Sequence, residues 1–230
     1  MAFVIGVASQ AQHGKDTLAD RLCEKLNVSQ PKWMRSAFAS NVKRVYCETF
    51  GVDMAFVEEW KVKAEAPPGF DMPVRQALQF IGDGFRKIRG TIWLDLAFRD
   101  SNPKIISDVR YINEFTRVKD EGGLNVLIGR PDRLNDDPNG SEAQIRPYID
   151  WCFKAFSPTA KFVDLRDVDY ETLTGVLPDA SQPPAGMNLF DVFVRNDGTI
   201  DELYDIVDTK LVPFAEHFVF EFKGEKDAVH

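Results

Sequence analysis

The stretch that decides the fold of this chain is Ser9-Gln-Ala-Gln-His-Gly14-Lys15-Asp16-Thr17. It follows an apolar run at residues 3–8 and precedes a helix-like stretch at 17–26. A strand, a polar turn with a glycine, a lysine and then a helix are typical of a loop that binds nucleotide phosphates, so we call residues 9–17 the phosphate loop. The helix start offers unpaired N–H groups and a partial positive charge, and the lysine adds a full one. An ordinary strand–helix turn with a surface lysine is the alternative.

Two positions depart from the usual pattern of such loops. Ser9 stands where a glycine is expected, so we expect either a strained backbone at this residue or a slightly different turn. Asp16 stands where a Ser or Thr is expected. It offers Mg²⁺ no hydroxyl, but its carboxylate can bind the ion directly or through water. The hydroxyl of Thr17, one position later, can bond an α-phosphate oxygen.

The bulk properties restrict the classes of partner. A chain of 230 residues suits one domain with insertions. Its net charge of −8 argues against a broad nucleic-acid face or a membrane-binding patch, although clustered arginines can still bind anions. The three scattered cysteines predict neither a zinc site nor disulfides, and no apolar run is long enough to span a membrane. These features predict a cytoplasmic protein that binds neither nucleic acid nor membrane.

Strand and helix patterns alternate along the chain. We predict strands at residues 2–8, 36–39, 105–109, 125–129 and 190–194, and helices at 15–27, 41–50 with Ser40 as N-cap, 54–63, 72–89, 92–98, 111–121 and 200–211. Residues 160–186 show no clear pattern. This alternation predicts an α/β fold with a parallel sheet flanked by helices.

Several polar residues follow predicted strands. Ligands of parallel sheets bind beyond the carboxyl ends of the strands, so these residues should converge on one edge. They are Gly14, Lys15, Asp108, Arg130 and Asn196. The sequence therefore predicts a common active site at this edge.

Asp108 and Arg110 are candidates for the chemistry itself. A carboxylate at a strand end beside a phosphate loop commonly organises Mg²⁺ and water. Asp108 could instead cap the following helix. The guanidinium of Arg110 could neutralise transferred phosphate, or it could form an ion pair with Asp108 or Glu114.

Two further groups of side chains suit a second, phosphate-bearing substrate. Arg75, Gln79 and Arg86 lie at intervals of four and seven residues on the predicted helix 72–89, where Gln79 could recognise a base edge. Solvated helix polarity is the alternative. The long polar loop at about 130–147 carries three arginines that suit a lid over a phosphoryl group. These arginines are Arg130, Arg133 and Arg146. Alternatively, they only form ion pairs with nearby aspartates.

The segment from Asn196 to Gly198 predicts a turn, with Thr199 capping the next helix. Backbone groups of this turn could contact the adenine of ATP. His13 lies inside the phosphate loop and could contact phosphate. The histidines show no pairing that would indicate a catalytic base.

In their order and spacing, these segments resemble phage-type deoxynucleoside monophosphate kinases. The similarity spans about residues 3–212, although 148–186 is only loosely covered. The segments that carry it are Gly14-Lys-Asp-Thr17, Phe38-Ala39, Arg75-Gln-Ala-Leu-Gln79-Phe-Ile-Gly82, Ile106-Ser-Asp108-Val-Arg110-Tyr-Ile-Asn-Glu114, Gly123, Arg130-Pro131, Ser141-Glu142 and Asn196-Asp-Gly-Thr199 followed by Glu202-Leu203.

The resemblance implies a P-loop NTPase fold of the nucleoside monophosphate kinase type. It implies one domain over residues 1–230, with an acceptor-binding helical region at about 40–100 and a lid at about 130–147. The polar composition after Lys223 predicts a mobile tail at 224–230. The reaction would transfer the γ-phosphoryl group of ATP, with Mg²⁺, to a deoxynucleoside 5′-monophosphate. A phage protein would act in the host cytoplasm, and a homodimer remains open.

The resemblance also implies a role for each candidate residue. Catalytic roles fall to Lys15, Asp16, Asp108, Arg110 and Arg130. ATP would be bound by His13, Gly14, Lys15, Asp16, Thr17, Asn196 and Gly198. The acceptor would be bound by Arg75, Gln79, Arg86, Arg110, Arg133 and Arg146, and Mg²⁺ by Asp16 and Asp108. Two rivals stay open: a P-loop kinase of another phosphorylated acceptor, such as phosphomevalonate or dephospho-coenzyme A, and a nucleotide-binding regulator without catalysis.

Overall fold

The computed structural model describes residues 3–29, 32–134, 141–176 and 182–227, and within them one six-stranded sheet. The strand order across the sheet is β2-β3-β1-β4-β6-β5. In chain order the strands are β1 (Val4–Ala8), β2 (Met34–Ser36), β3 (Lys104–Ile106), β4 (Leu124–Gly129), β5 (Phe162–Asp164) and β6 (Val192–Arg195). β1 pairs in parallel with β3 and β4, and β4 pairs in parallel with β6. The predicted α/β fold with a mostly parallel sheet is confirmed.

One strand of the sheet is antiparallel to its neighbour. β5 pairs antiparallel with β6 at an edge of the sheet. It lies within the stretch 160–186, which showed no pattern. Three half-buried residues are too few to produce a readable periodicity.

Ten helices are described. They are α1 (Lys15–Ser29), α2 (Phe38–Phe50), α3 (Met54–Trp60), α4 (Val74–Ile88), α5 (Ile92–Ala97), α6 (Ile112–Asp120), α7 (Arg146–Ala155), α8 (Tyr170–Val176), α9 (Ile200–Ile206) and α10 (Val212–Asp227). In the described part of the chain, no helix is both long and apolar enough to cross a bilayer.

The chain divides into two compact units. The first comprises Met1–Arg35 and Ser101–His230, and its core joins β1, β4 and β6 to the buried faces of α1 and α10. β1 and β4 are buried throughout, which is why their sequences are continuous apolar runs. The predicted stripe of Leu18, Leu22 and Leu26 on α1 is confirmed as core.

The second unit comprises Ser36–Asp100 and contains α2 to α5. Its small core is built on Tyr46, Val57, Val74 and Ala77. The indole N–H of Trp93 donates a 3.0 Å hydrogen bond to the carbonyl of Gly82 and so ties α5 to α4. This unit overlaps the helical region at about 40–100 that the resemblance assigned to the acceptor, and that assignment stays a prediction.

Three boundary predictions were wrong. Residues 36–39 are not a strand, because β2 ends at Ser36 and α2 already begins at Phe38, with Ala37 rather than Ser40 as N-cap. The side chain of Phe38 is buried, so packing places the helix start earlier than the polar cap signal did.

The polar loop at 130–147 also ends earlier than predicted. Its described parts are short 3₁₀ turns at Pro131–Arg133 and Ser141–Gln144, and α7 begins at Arg146. The middle of the predicted lid, residues 135–140, lies outside the described residues.

The predicted helix at 200–211 does not stop there. After α9 a wider turn at Val207–Leu211 leads directly into α10, which reaches Asp227. The predicted tail at 224–230 is therefore helical as far as Asp227, and residues 228–230 lie outside the described part. Buried Leu211, Ala215 and Val219, at four-residue spacing, hold this extension on the core.

Candidate functional site

The phosphate loop connects the buried strand β1 to the first turn of α1. Gln12 (φ 62°) and Gly14 (φ 90°) both adopt left-handed backbone conformations. The amide of Leu18 then donates to the carbonyl of Gly14 at 2.9 Å. Among the described residues other than glycine, only Gln12 and Lys32 have positive φ, so Ser9 is not strained. Within the loop, the positive φ angles belong to Gln12 and Gly14 instead.

A pocket of about 360 Å³ opens at the phosphate loop. It lies where the carboxyl ends of β1, β4 and β6 meet, which is the edge predicted from the sequence. Its walls combine the loop with one residue after β4 and several after β6: Gln12, Gly14, Lys15, Asp16, Thr17, Arg130, Asn196, Thr199, Ile200 and Leu203. The first turn of α1, with its unpaired N–H groups, faces this space together with two cationic side chains, Lys15 and Arg130.

The carboxylate of Asp16 is the centre of a small polar network. It forms an ion pair with Lys15 and accepts hydrogen bonds from Ser107 Oγ (3.0 Å) and Arg35 Nη2 (3.4 Å). Partial burial raises the pKa of Asp16. The hydrogen bond from Lys15, the positive charges of Lys15 and Arg35, and the hydrogen bond from Ser107 outweigh it, so the pKa lies below its ordinary value. Asp16 therefore stays ionised beside the pocket.

Two members of this network escaped the sequence analysis. Ser107 follows β3 and precedes Asp108, so its place after an apolar strand was a usable signal. Arg35 lies on β2 and reaches across to Ser107 (3.2 Å) and to Asp20 (2.6 Å). Nothing in the local sequence distinguishes it, because its place depends on β2 lying next to β3.

Oxygen ligands for a divalent cation are present at this network. Mg²⁺ typically uses one or two carboxylates, with water and substrate phosphates completing the octahedron. In the described chain, no group of three or more His, Cys, Asp or Glu side chains could hold a metal ion on its own. Asp16 lines the pocket, and its partner Ser107 precedes Asp108 directly in the chain. This donor set fits Mg²⁺ bound together with nucleotide phosphates. Metal binding by Asp16 and Asp108 stays a prediction.

His13 connects the phosphate loop to the segment after β4. Its ring is fully buried. Nδ1 lies 3.3 Å from the backbone nitrogen of Arg130, and Nε2 lies 3.2 Å from the carbonyl oxygen of Arg133. Among the described residues it is not one that lines the pocket. Both ring nitrogens therefore contact protein backbone. ATP binding by His13 stays a prediction.

Asn196 connects the turn after β6 to the same loop. Its side chain is buried, and Nδ2 donates to the carbonyl of His13 at 2.9 Å. Its backbone N–H donates to the carbonyl of Gly129 at 2.8 Å. A Cβ added to Gly14 would lie 2.5 Å from Asn196 Nδ2, so glycine is required there by space as well as by φ. The side-chain amide of Asn196 therefore stabilises the phosphate loop. Adenine contacts by Asn196 and Gly198 stay predictions.

The predicted cap of α9 is confirmed. Thr199 Oγ1 accepts from the amide of Glu202 (3.2 Å), and the amide of Thr199 donates to the carboxylate of Glu202 (2.7 Å). Ile200 and Leu203, on the helix that this cap starts, add apolar surface to the pocket. An apolar wall beside a phosphate loop suits the base of a nucleotide.

The remaining candidates of the first unit have varied surroundings. The buried carboxylate of Glu114 accepts from the backbone amides of Arg110 (2.7 Å) and Tyr111 (3.1 Å), and so caps α6. Arg146 belongs to the first turn of α7 and donates to both carboxylate oxygens of Asp150, at 2.7 and 2.6 Å. Acceptor binding by Arg110 and Arg146 stays a prediction.

The three candidates on α4 belong to the second unit. The helix is continuous over Val74–Ile88, so Arg75, Gln79 and Arg86 lie within a narrow arc of one face. Arg75 and Gln79 are exposed, and Arg86 pairs with Asp83 at 3.3 Å. Their predicted contact with the acceptor is untested.

Comparison with known proteins gives one informative similarity. The chain is 28% identical over 163 residues to the "Putative deoxynucleotide monophosphate kinase" of Acanthamoeba polyphaga mimivirus, covering 62% of this chain and 82% of the viral protein. No model of a known protein family matches. Among solved structures, the crystal structure of APE1195 aligns with 91% of this chain and 96% of its own, at 16% identity and a TM-score of 0.34, a likeness too weak to bear on fold or function. The chain therefore resembles a viral protein described as a kinase of deoxynucleotide monophosphates.

Proposed function

We propose that this protein transfers the γ-phosphoryl group of ATP to a deoxynucleoside 5′-monophosphate. The observation that carries the proposal is the pocket at the phosphate loop, which joins a helix N-terminus, Lys15 and Arg130. Such a constellation binds a polyphosphate. The similarity to the viral protein supplies the acceptor class.

Phosphoryl transfer asks for positioning and for positive charge around the moving group, with little covalent help from the protein. Lys15 and the amides of α1 would hold the β- and γ-phosphates, and Arg130 would neutralise charge on the transferred group. Asp16 would give up its ion pair with Lys15 when phosphate binds. Ser107 and Arg35 would then hold the carboxylate in place.

A Mg²⁺ ion would supply positive charge beside the phosphates. Asp16 and Asp108 would be its protein ligands. Arg75, Gln79 and Arg86 of α4 are the proposed acceptor-binding residues of the second unit. Arg110, Arg133 and Arg146 are those proposed in the first unit. Gln79 carries both a donor and an acceptor, as recognition of a base edge requires.

The test is a transfer assay on the purified full chain. The protein is incubated with ATP and Mg²⁺ and each of the four deoxynucleoside monophosphates, and ADP and the deoxynucleoside diphosphate are quantified by ion-exchange chromatography. We expect stoichiometric formation of both products with at least one acceptor. Lys15→Met should abolish transfer without changing the circular dichroism spectrum, whereas Lys154→Met, on an exposed position of α7, should leave it unchanged.

The other outcomes separate the rivals. ADP formation without any acceptor would contradict the kinase proposal and favour a nucleotide-binding regulator. Transfer only to phosphomevalonate or dephospho-coenzyme A would retain the phosphate loop and overturn the acceptor class.

A further inference from the structure

His13 makes two hydrogen bonds that demand one protonation state of its ring. The backbone N–H of Arg130 can only donate, so Nδ1 must carry a lone pair. The carbonyl of Arg133 can only accept, so Nε2 must carry the hydrogen. The buried ring is therefore the neutral Nε2–H tautomer, with no remaining site for a phosphate.

His13 forms a third hydrogen bond through its backbone carbonyl. Its carbonyl accepts from the side chain of Asn196, after β6, while its ring contacts the segment after β4 and its own backbone follows β1. β1, β4 and β6 are consecutive neighbours in the sheet. His13 thus joins the carboxyl ends of three adjacent strands around the pocket.

A second contact reinforces the connection to Arg133. The guanidinium of Arg133 donates from Nη1 to Oε1 of Gln12 at 3.3 Å. Gln12 and His13 are consecutive residues of the phosphate loop, and Gln12 holds a left-handed backbone conformation. Two side chains of the loop therefore contact the short turn Pro131–Arg133 and its first flanking residue, Arg130.

From these contacts we propose that His13 is a positioning residue that fixes Arg130 against the phosphate loop. The proposal rests on the proposed function, since it concerns the placement of Arg130 at a transferred phosphoryl group. In this proposal the ring of His13 contacts neither nucleotide. It acts because the Arg130 backbone cannot shift without breaking the bond to Nδ1. The guanidinium, which pairs with Asp132 at 2.9 Å, therefore starts from a defined place at the pocket.

Three substitutions separate the two ring bonds. In His13→Asn the side-chain oxygen can replace Nδ1 as acceptor for Arg130. In His13→Gln the longer amide can replace Nε2 as donor to Arg133. His13→Ala removes both. We expect the alanine variant to lower kcat roughly a hundredfold, the loss that a misplacement of about 1 Å can cause, with a smaller change in KM for ATP.

The ranking of the variants by transfer rate tests the proposal. His13→Asn should retain more transfer than His13→Gln, because only the asparagine holds Arg130. The double variant His13→Ala with Arg130→Ala should be no slower than Arg130→Ala alone. His217→Ala, on an exposed position of α10, is the matched control and should transfer at the wild-type rate. Losses that multiply in the double variant, or an asparagine variant no better than alanine, would overturn the proposal.

A measurement on the wild-type protein tests the proposal independently of folding of the variants and of activity. Nitrogen-15 NMR of the imidazoles should show one ring locked as the Nε2–H tautomer, its signals lost only in the His13 variants. A ring with hydrogen on Nδ1, or one averaging between tautomers, would refute the bond to Arg130. The tautomer is measured without any acceptor, so failure of the transfer reaction and failure of this inference stay distinguishable.

Discussion

Gly14→Ala tests the close approach of Gly14 in the phosphate loop to Asn196. The added Cβ would lie 2.5 Å from Nδ2 of Asn196, on a residue whose φ is +90°. That amide would have to move away by about 1 Å to reach an ordinary contact distance of at least 3.4 Å. We expect this movement to break its 2.9 Å hydrogen bond to the buried carbonyl of His13.

The magnitude follows from two effects. A left-handed conformation costs an alanine about 1–2 kcal/mol relative to glycine, and a buried carbonyl left unpaired costs about 1–3 kcal/mol. Gly14→Ala should therefore lower the free energy of unfolding by about 2–5 kcal/mol. Asn196→Ala should cost only the second amount, about 1–3 kcal/mol.

The double variant Gly14→Ala with Asn196→Ala shows whether the two substitutions destabilise the protein through the same hydrogen bond or independently. Because Gly14→Ala already breaks the Asn196 bond, the double variant should lose about 2–5 kcal/mol, no more than Gly14→Ala alone. Urea unfolding followed by circular dichroism measures the three free energies, and hydrogen exchange of the β1 and β6 amides localises the loss. Full additivity of the two substitutions would refute the reasoning. Gly84→Ala, where an added Cβ meets no atom within 4 Å, is the control and should not destabilise.

Three further predictions concern charge. Lys119→Met removes the 2.5 Å partner of the buried Asp191 carboxylate and should lower the free energy of unfolding by about 3 kcal/mol at neutral pH. Burial already raises the pKa of Asp191, so protonation of this carboxyl should make the loss of stability smaller as the pH falls. Urea unfolding at two pH values tests this, and a loss that does not change with pH would show that the pairing is unimportant. Lys15→Met should raise the pKa of Asp16, which in the wild-type protein lies below its ordinary value of 3.8. The ionised Asp16 contributes stability above pH 3.8 and loses it in acid, so this contribution should be smaller in the variant. A carbon-13 NMR titration that shows an unchanged pKa would contradict the ion pair. Arg130→Ala should slow transfer more than it weakens ATP binding, and equal effects in single-turnover and binding measurements would remove Arg130 from the transfer step.

Much of the secondary structure was predictable because it depends on residues that are close together in the sequence. The continuous apolar run of β1 requires a strand buried on both faces, and Leu18, Leu22 and Leu26 require a helix on that strand. The cap at Thr199 was predictable for the same reason, since its partner Glu202 lies only three residues away. In each case, neighbours along the chain carry the whole signal.

Boundaries were less predictable where packing opposed local preference. Phe38 begins α2 although Ser40 is the better cap, because its buried side chain outweighs the hydroxyl signal. α10 continues past Lys223 to Asp227, although the polar composition of this segment predicted a tail.

By itself, the sequence determined that a phosphate loop follows a buried strand, that the sheet is mostly parallel and that polar residues gather at its carboxyl edge. Tertiary structure alone decided which of these residues touch. His13 bonds Arg130 and Asn196 across 117 and 183 positions, and Arg35 reaches Ser107 across 72. Such bonds depend on the order of strands in the sheet. Strand order follows from long-range packing, and no local pattern of residues encodes it.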